Sequence, residues 1–429
     1  LQTQGSLHQR ALEFEERIRQ QHLVEGQIRG LVFKDKKRQK RLRYFNGSNG
    51  PLWTGTYLSS LAFHYKVEPN PKTLADIKLV MEAMSTLAHI SGTPGILSRS
   101  FYKGKPVDPK KHGRASDPYI GYSYRGQQNR DQTTGYLWGL VNVYLYVDDV
   151  KLREKAQHLC HLIVKKMYTK DLPWGGRAWS HWSLKQPLLK RTYRSSYALN
   201  LMAATIGKYI CHDPVFAKEY KRLNKSRRHF SHNLFSAPIM HKYAEYYSQH
   251  LNYLRWSTIL QLEGKSKKRK FAEQQILRHF KVVHNHRNAY FFYLTLSTAS
   301  DKTKRQLGKK YPMKLYQEQA LQSLSEIKLP KLNHYFPVLD RSIKRARPFY
   351  FYLIKYGKVL VKGSERPRPQ ALYPLPMKDR IPTFFQWQRN PYQLAFPGEK
   401  GSGRQSVPGI DFTVAYWLGR LHGFIPKEQ

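Results

Sequence analysis

The sequence is poor in cysteine and in acidic residues, and it contains no long apolar run. Cys160 and Cys211 are the two cysteines in 429 residues. Two such scattered thiols argue against a Cys-based metal site and a disulfide framework. Each falls in a helix-like stretch, so they read as ordinary buried residues, with one disulfide left open should their helices be neighbours. No run approaches the about 20 apolar residues that cross a bilayer, so no transmembrane segment is expected. Asp and Glu number 29 against 74 Lys and Arg, a formal net charge of +45. That balance favours polyanionic partners: nucleic acid, acidic polysaccharide, or the anionic surface of a cell envelope. The basic residues spread along the chain, from KDKKRQKRLR at 34–43 through KSKKRK at 265–270 to RSIKRARP at 341–348. Neither a zinc-finger spacing nor an RNA-binding strand motif accompanies them. A generally basic surface is therefore favoured over a dedicated nucleic-acid groove, and no specific nucleic acid is expected as partner.

What the chain does have is aromatic surface and helical spacing. Aromatics make up 14%, with 30 Tyr and 8 Trp, which points to a cleft or platform for ring-shaped ligands. A chain of this length holds two or three average domains or one large helical ring or barrel. The spacing decides for the ring. A charged first helix spans 7–30, followed by the basic linker and the turn NGSNGP at 46–51. Helices then come in pairs joined by short turns: 52–67 with 71–90, 131–147 with 149–168, 194–211 with 213–224, 237–262 with 266–282, and 286–299 with 301–326. A last helix at 411–423 can pair with the first.

An internal repeat supports the pairing. Tyr57, Leu58, Leu61 and Tyr65 recur at identical spacing as Tyr136, Leu137, Leu140 and Tyr144, each after a Thr/Gly first turn. The first helix of these two pairs is nearly uncharged and would be packed on all sides. The second helix of the 149–168 pair alternates charge with apolar positions and would lie outside. The expected organisation is an N-terminal helix with a basic linker over 1–49, packed on an all-α ring over 50–429. Long insertions at 91–130, 169–193 and 327–410 would gather at one rim and build a cleft. FYFYLIKYGKVLV at 349–361 alternates as a short β-hairpin does.

GPLWTGTYLSSLAF, HISGTPGILSRSF, DQTTGYLWGL and the C-terminal DFTVAYWLGRLHGF together resemble bacterial proteins of the six-hairpin glycosidase type, from Gly50 onward. The resemblance implies an (α/α)6 toroid, and a glycoside hydrolase or polysaccharide lyase of the usually exported kind. The start at Leu rather than Met fits a removed leader, so a periplasmic or secreted protein is expected.

Hydrolysis of a glycosidic bond normally needs two carboxyl groups, and scarcity of acids shortens the list. Asp131 opens the second inner helix, Asp117 lies upstream in SDPYIGYSYRG, and Glu245 lies in HKYAEYYSQH among Tyr and His. These three are the expected catalytic residues. Glu399 reads as a solvated loop residue and Asp411 as a helix cap. Capping is also the plainer reading of Asp131, and a turn that of Asp117. Sugar rings stack on indoles, which selects Trp53, Trp174, Trp179 and Trp182, with Tyr57 beside them in sequence. Arg99, Arg125 and Arg287 suit acidic groups. A lyase would instead neutralise a uronate with Arg and abstract a proton with Tyr or His, for which Tyr122, Tyr124, Arg125, His241, Tyr243, His284 and His286 are available. The third class, a non-catalytic protein that holds a polyanion, uses the same basic surface. No metal and no cofactor is called for by any of these readings, and the sequence sets no oligomeric state.

Overall fold

The computed structural model describes residues 5–168 and 194–327 apart from short stretches within 36–48, 226–245 and 265–268, then 345–346, 354–355, 358–359, most of 370–392, and 404–427. Thirteen α-helices lie among the described residues: α1 Leu7–Arg17, α2 Gly50–Val67, α3 Pro71–His89, α4 Arg130–Tyr146, α5 Val150–Tyr168, α6 Arg194–Tyr209, α7 Pro214–Leu223, α8 Tyr246–Glu263, α9 Arg269–Val283, α10 Ala289–Thr298, α11 Asp301–Lys310, α12 Met313–Glu326 and α13 Ile410–Leu421.

Six of them close a ring. Helix α2 packs on α4, α4 on α6, α6 on α8, α8 on α10, α10 on α13, and α13 back on α2. Outside them, α3, α5, α7, α9 and α12 each cover the inner helix of their own hairpin, and α1 covers α13. The chain is an all-α (α/α)6 toroid. Every residue of α2 from Gly50 to His64 is buried, as an uncharged helix with neighbours on all sides should be. In α5, by contrast, Leu152, Ala156, Leu159, Cys160 and Ile163 form the buried stripe and Lys and Glu face out.

Many Ser and Thr side chains inside the ring satisfy themselves locally. Thr56, Ser59, Thr134, Thr205, Thr258 and Thr295 each donate to the carbonyl four residues back in their own helix, so a buried hydroxyl costs little there. Inner helices therefore tolerate Ser and Thr without exposing them.

The repeated Thr/Gly turns have a packing reason. Helices α2 and α4 meet backbone to backbone: a Cβ on Gly55 would lie 2.1 Å from the Gly135 carbonyl oxygen, and one on Gly139 2.6 Å from that of Gly55. Further along, Asn142 donates to Ser59 at 2.9 Å and accepts from Gln261 of α8 at 3.2 Å. These contacts run parallel along α2, α4 and α8, so their N-termini share one rim.

Helix α1 closes the ring through a buried polar triad. Glu15 accepts the Trp417 indole N–H at 2.7 Å and pairs with His64 at 2.9 Å, and the His64 and Trp417 rings stack at 3.8 Å. One carboxylate thus ties α1, α2 and α13 together.

Three segments differ from the sequence reading. One is 301–326, expected as a single helix but broken at Tyr311 and Pro312 into α11 and α12, since Pro312 cannot continue the helical hydrogen bonding. The first helix, expected over 7–30, ends its α-form at Arg17, passes through a wider turn at Ile18–His22, and then reverses at Glu25 and Gly26 with φ of 50° and 74°. Gly26 is the local reason, since its backbone conformation suits glycine. Beyond the turn come β1 Leu23–Val24, β2 Gln27–Ile28, β3 Gly30–Phe33 and β4 Arg41–Phe45. The end of the basic linker is therefore a strand, paired antiparallel with β3.

The insertion after α3 carries β5 Ser100–Lys103, β6 His112–Arg114 and β7 Tyr122–Arg125 in the order β5-β7-β6. Later come β8 Arg345–Ala346, β9 Ile354–Lys355, β10 Lys358–Val359, β11 Gln370–Ala371 and β12 Gln405–Ser406. Strands β9 and β10 form the expected antiparallel hairpin, and β12 extends the β3–β4 sheet on its other side. Cys160 and Cys211 are free thiols, buried and half-buried, and burial raises the Cys211 thiol to about 12. Among the described residues no helix is long and apolar enough to cross a membrane.

Candidate active site at the ring mouth

Helix α4 begins in a capping box. The Asn129 side chain accepts the backbone N–H groups of Asp131 and Gln132 at 3.1 and 3.2 Å, and the Gln132 side chain returns to the Asn129 N–H at 2.9 Å. The cap is Asn129, so the capping reading of Asp131 is corrected. Asp131 occupies the second helical position, half-buried, where the helix N-terminus favours negative charge. Its carboxylate is left to the mouth of the ring.

Two arginines face it. Arg99 precedes β5, gives its backbone N–H to Arg125 at 2.6 Å and its Nε–H to the Gln127 carbonyl at 2.6 Å. Arg255 comes from α8, is 1% exposed, and donates Nε–H to the Thr134 hydroxyl at 3.0 Å. Burial lowers Arg255 to about 10, and the opposing attraction comes first from Asp131 and then from Tyr247, with Arg130 repelling. Burial also lowers Arg99, with Arg125 repelling it and Asp131 and Tyr247 attracting it. Asp131, Arg99, Arg255, Arg130 and Tyr247 therefore share one electrostatic environment, with three guanidinium groups to one carboxylate.

The floor beside them is aromatic. Trp53, 5% exposed on the first turn of α2, lies parallel to the buried His250 of α8 at 6.2 Å between centroids. Phe385 stacks on His250 at 4.9 Å and lies 5.2 Å from Trp53, with Tyr290 edge-on to Phe385 at 5.6 Å. Burial, then the charge of Arg255, pushes His250 down to about 3, so it is a neutral ring at physiological pH.

Phe385 belongs to a strap, residues 384–388, laid over the N-termini of the inner helices. Gln388 bonds the His250 ring at 3.0 Å, the Trp387 indole N–H bonds the Asp411 carbonyl, and the Gln386 backbone N–H bonds the Asp411 carboxylate at 3.1 Å. Asp411 is buried at the second position of α13, where burial raises its carboxyl to about 6 against the backbone N–H groups of Gln386, Asp411 and Phe412.

The raised carboxyl gives a stability prediction. A carboxyl lifted above its ordinary value of 3.8 is held preferentially in its protonated form by the native state. Its stabilising contribution is fully present below the ordinary value and is lost as pH rises through about 6. Asp411→Asn keeps an acceptor for the Gln386 N–H and removes the titration. The variant is expected to match the parent at pH 4 and to exceed it at pH 8 by about 3 kcal/mol, because native and unfolded chains that titrate one pH unit apart differ by roughly 1.4 kcal/mol. Thermal denaturation at the two pH values checks it, and parallel curves would exclude a raised Asp411.

The other sequence candidates fall in several places. Asp117 is exposed in the turn between β6 and β7, with no hydrogen bond or ion pair among the described residues. Arg125 lies on β7 opposite Ser100 and His112. Tyr57 is fully buried in α2 on the side of Glu15, Asp76 and Arg19, away from the mouth residues. Arg287 precedes the α10 cap Asn288, and its carbonyl accepts from the buried Arg380 at 3.2 Å. His284 bonds the Tyr316 hydroxyl at 2.7 Å and His286 that of Tyr246 at 2.9 Å, so both are packing residues. Glu245, His241, Tyr243, Trp174, Trp179, Trp182 and Glu399 lie outside the described residues. The structure thus brings together Asp131 and Arg99, with Arg125 alongside and Trp53 on the floor.

Arg255, Tyr247, His250 and Phe385 were not anticipated. One signal was available: Arg255 is the lone basic residue in YYSQHLNYLRWSTILQLE, an otherwise nearly uncharged inner helix. A lone charge kept inside such a helix marks a partner or a function.

No protein-family model matches the chain, and no curated protein matches it. Among solved structures, the fold is similar to an inactive variant of the alpha-1,6-mannanase GH76A of Salegentibacter sp. HEL1_6 in complex with alpha-1,6-mannotetrose, at 12% identity and a TM-score of 0.41, over 76% of this chain and 89% of that one.

Proposed function

We propose that the ring mouth is the active site of a carbohydrate-active enzyme, a glycoside hydrolase that cuts an acidic or cell-envelope polysaccharide, with Asp131 as a catalytic carboxylate. The observation that carries this is the release of Asp131 from capping by Asn129, which leaves its carboxylate between Arg99 and Arg255 beside an aromatic floor. In hydrolysis this carboxylate serves as base or nucleophile at the anomeric carbon, and a second carboxyl, for which the sequence offers Asp117 or Glu245, serves as acid. Trp53 and Phe385, 5% and 1% exposed, pack with His250 into a fixed aromatic floor beneath the site. The basic surface suits an acidic chain and an exported protein working on the envelope.

A second reading rests on Tyr247. One carboxylate among arginines and a tyrosine also suits β-elimination, in which Arg99 or Arg255 neutralises a uronate carboxylate and Tyr247 removes the adjacent proton. The two are separated by their products. Incubation with a panel of acidic and envelope polysaccharides is expected to release reducing ends without the ultraviolet absorbance of an unsaturated uronate. Absorbance rising in step with new ends would replace the hydrolase by the lyase. Retention of the acidic polymers with no new ends would leave a binding protein.

A further inference from the structure

The arginines do not stop at Asp131. Gln27 of β2 bonds both backbone groups of Phe101, donating at 3.0 Å and accepting at 3.2 Å, which lays residues 27–29 along the edge of β5. Arg29 therefore comes up beside Arg125, which stands opposite Ser100 and His112 in the β5-β7-β6 sheet. Arg125 in turn bonds the backbone of Arg99. From the sheet to the ring centre the order is Arg29, Arg125, Arg99, Asp131, Arg255, each close enough to be felt electrostatically by the next.

Three of these guanidinium groups keep a buried donor without a partner among the described residues: Nε of Arg29, Nε of Arg125 and Nη2 of Arg255. Arg255 is 1% exposed, and the oxygen it bonds is the Thr134 hydroxyl, not a carboxylate. Glu25 attracts Arg29 but makes no ion pair with it among the described residues. Folded proteins rarely leave cationic donors buried and unmatched, because each such donor costs desolvation without return. Four like charges in file, with Asp131 at the mouth and Glu25 acting on Arg29, are matched by a ligand that brings its own negative charges. Tyr102 and His112, hydrogen-bonded at 2.7 Å, wall the outer end of the file, where Arg29 and Arg125 are half-buried and open to solvent.

We infer that Arg29 and Arg125 form an anion-binding subsite beside the cleft, which holds an acidic group of a linear polysaccharide whose neighbouring residues reach Asp131 through Arg99 and Arg255. The inference rests on the reading of the mouth as a polysaccharide site and deepens it: the substrate carries acidic groups on more than one sugar, and it lies along the three-stranded sheet. Carboxylate and sulfate both suit a guanidinium fork, so both are used as probes.

The test is binding of the full chain to polygalacturonate, to dextran sulfate, to uncharged dextran and to single-stranded DNA. The parent is expected to bind one or both acidic glycans and not dextran. Arg29→Gln with Arg125→Gln is expected to weaken that binding by about 30-fold and to flatten its dependence on log salt concentration by about two, roughly one counterion per lost contact. Lys302→Gln, on the exposed face of α11, is expected to stay within about threefold. The melting temperature of the double variant should hold or rise, since two unmatched cations have gone; a structural role would lower it. The subsite is overturned if the double variant binds as the parent does or loses no more than Lys302→Gln. It is equally overturned if DNA binds more tightly than both glycans, or if the parent holds neither glycan at low salt. Cleavage that persists in the double variant with an unchanged KM sinks the subsite and leaves the enzyme standing. Charge-selective retention by a parent that cuts nothing sinks the enzyme and leaves the subsite.

Discussion

Asp131→Asn is expected to lower kcat on the polysaccharide substrate by about 1,000-fold or more, with KM changed by less than about threefold. The magnitude follows from removing a group that acts on the reacting atoms, which typically contributes two to four orders of magnitude. The amide has the size of the carboxylate, and α4 keeps its cap because Asn129 and Gln132 supply it. The aromatic floor of Trp53, His250 and Phe385 is untouched. One structural cost is expected as well: Arg255, buried and bonded to Thr134, loses the charge that attracts it most. The variant should therefore melt earlier by the equivalent of about 1–2 kcal/mol. Adding Arg255→Gln should restore most of the stability and none of the activity. Recovery of turnover in the double variant would show that Asp131 served only to hold Arg255.

Gly55→Ala is expected to destabilise the protein by roughly 4 kcal/mol, more than the about 1–3 kcal/mol of ordinary overpacking. The new methyl carbon would lie 2.1 Å from the Gly135 carbonyl oxygen and 2.7 Å from the carbonyl carbon. Both are backbone of a buried helix, so no side chain can turn aside. Helices α2 and α4 must separate, and the displacement passes to Asn142 and Ser59 further along the same seam. By contrast Gly308→Ala, in the exposed helix α11 with nothing within 4 Å of the new carbon, should stabilise by up to about 1 kcal/mol. Chemical denaturation of the two variants measures both effects, and equal midpoints would rule out backbone contact at Gly55.

The ring was legible because its physics is local. Uncharged first helices and striped second helices follow from being inside or outside, and the repeat of TGTYLSSL with TTGYLWGL reports a shared seam. What was not legible is non-local. Strand β12 joins β3 from some 370 residues away in sequence, and the strap residue Phe385 meets Trp53 and His250 without any sequence pattern announcing it. The misread helix end at Arg17 had a signal in Gly26, outweighed by helix-compatible residues on either side. At the site itself, Asn129-Arg-Asp-Gln132 is a readable capping box, and reading it frees Asp131 from the role of cap. Arg255 was readable as a lone charge, but its attraction to Asp131 acts across 124 residues of sequence and needs the closed ring.

The stretch that opens α4 is therefore the centre of the account, and it can be examined directly. A crystal structure of Asp131→Asn bound to an acidic oligosaccharide of the cleaved polymer should place the scissile linkage against residue 131, with acidic groups along Arg99 and Arg125. Oligosaccharide bound instead at the opposite rim, beside Asp148 and Asp149 where α4 ends and their ion pairs with Lys66 and Lys78 lie, would contradict it.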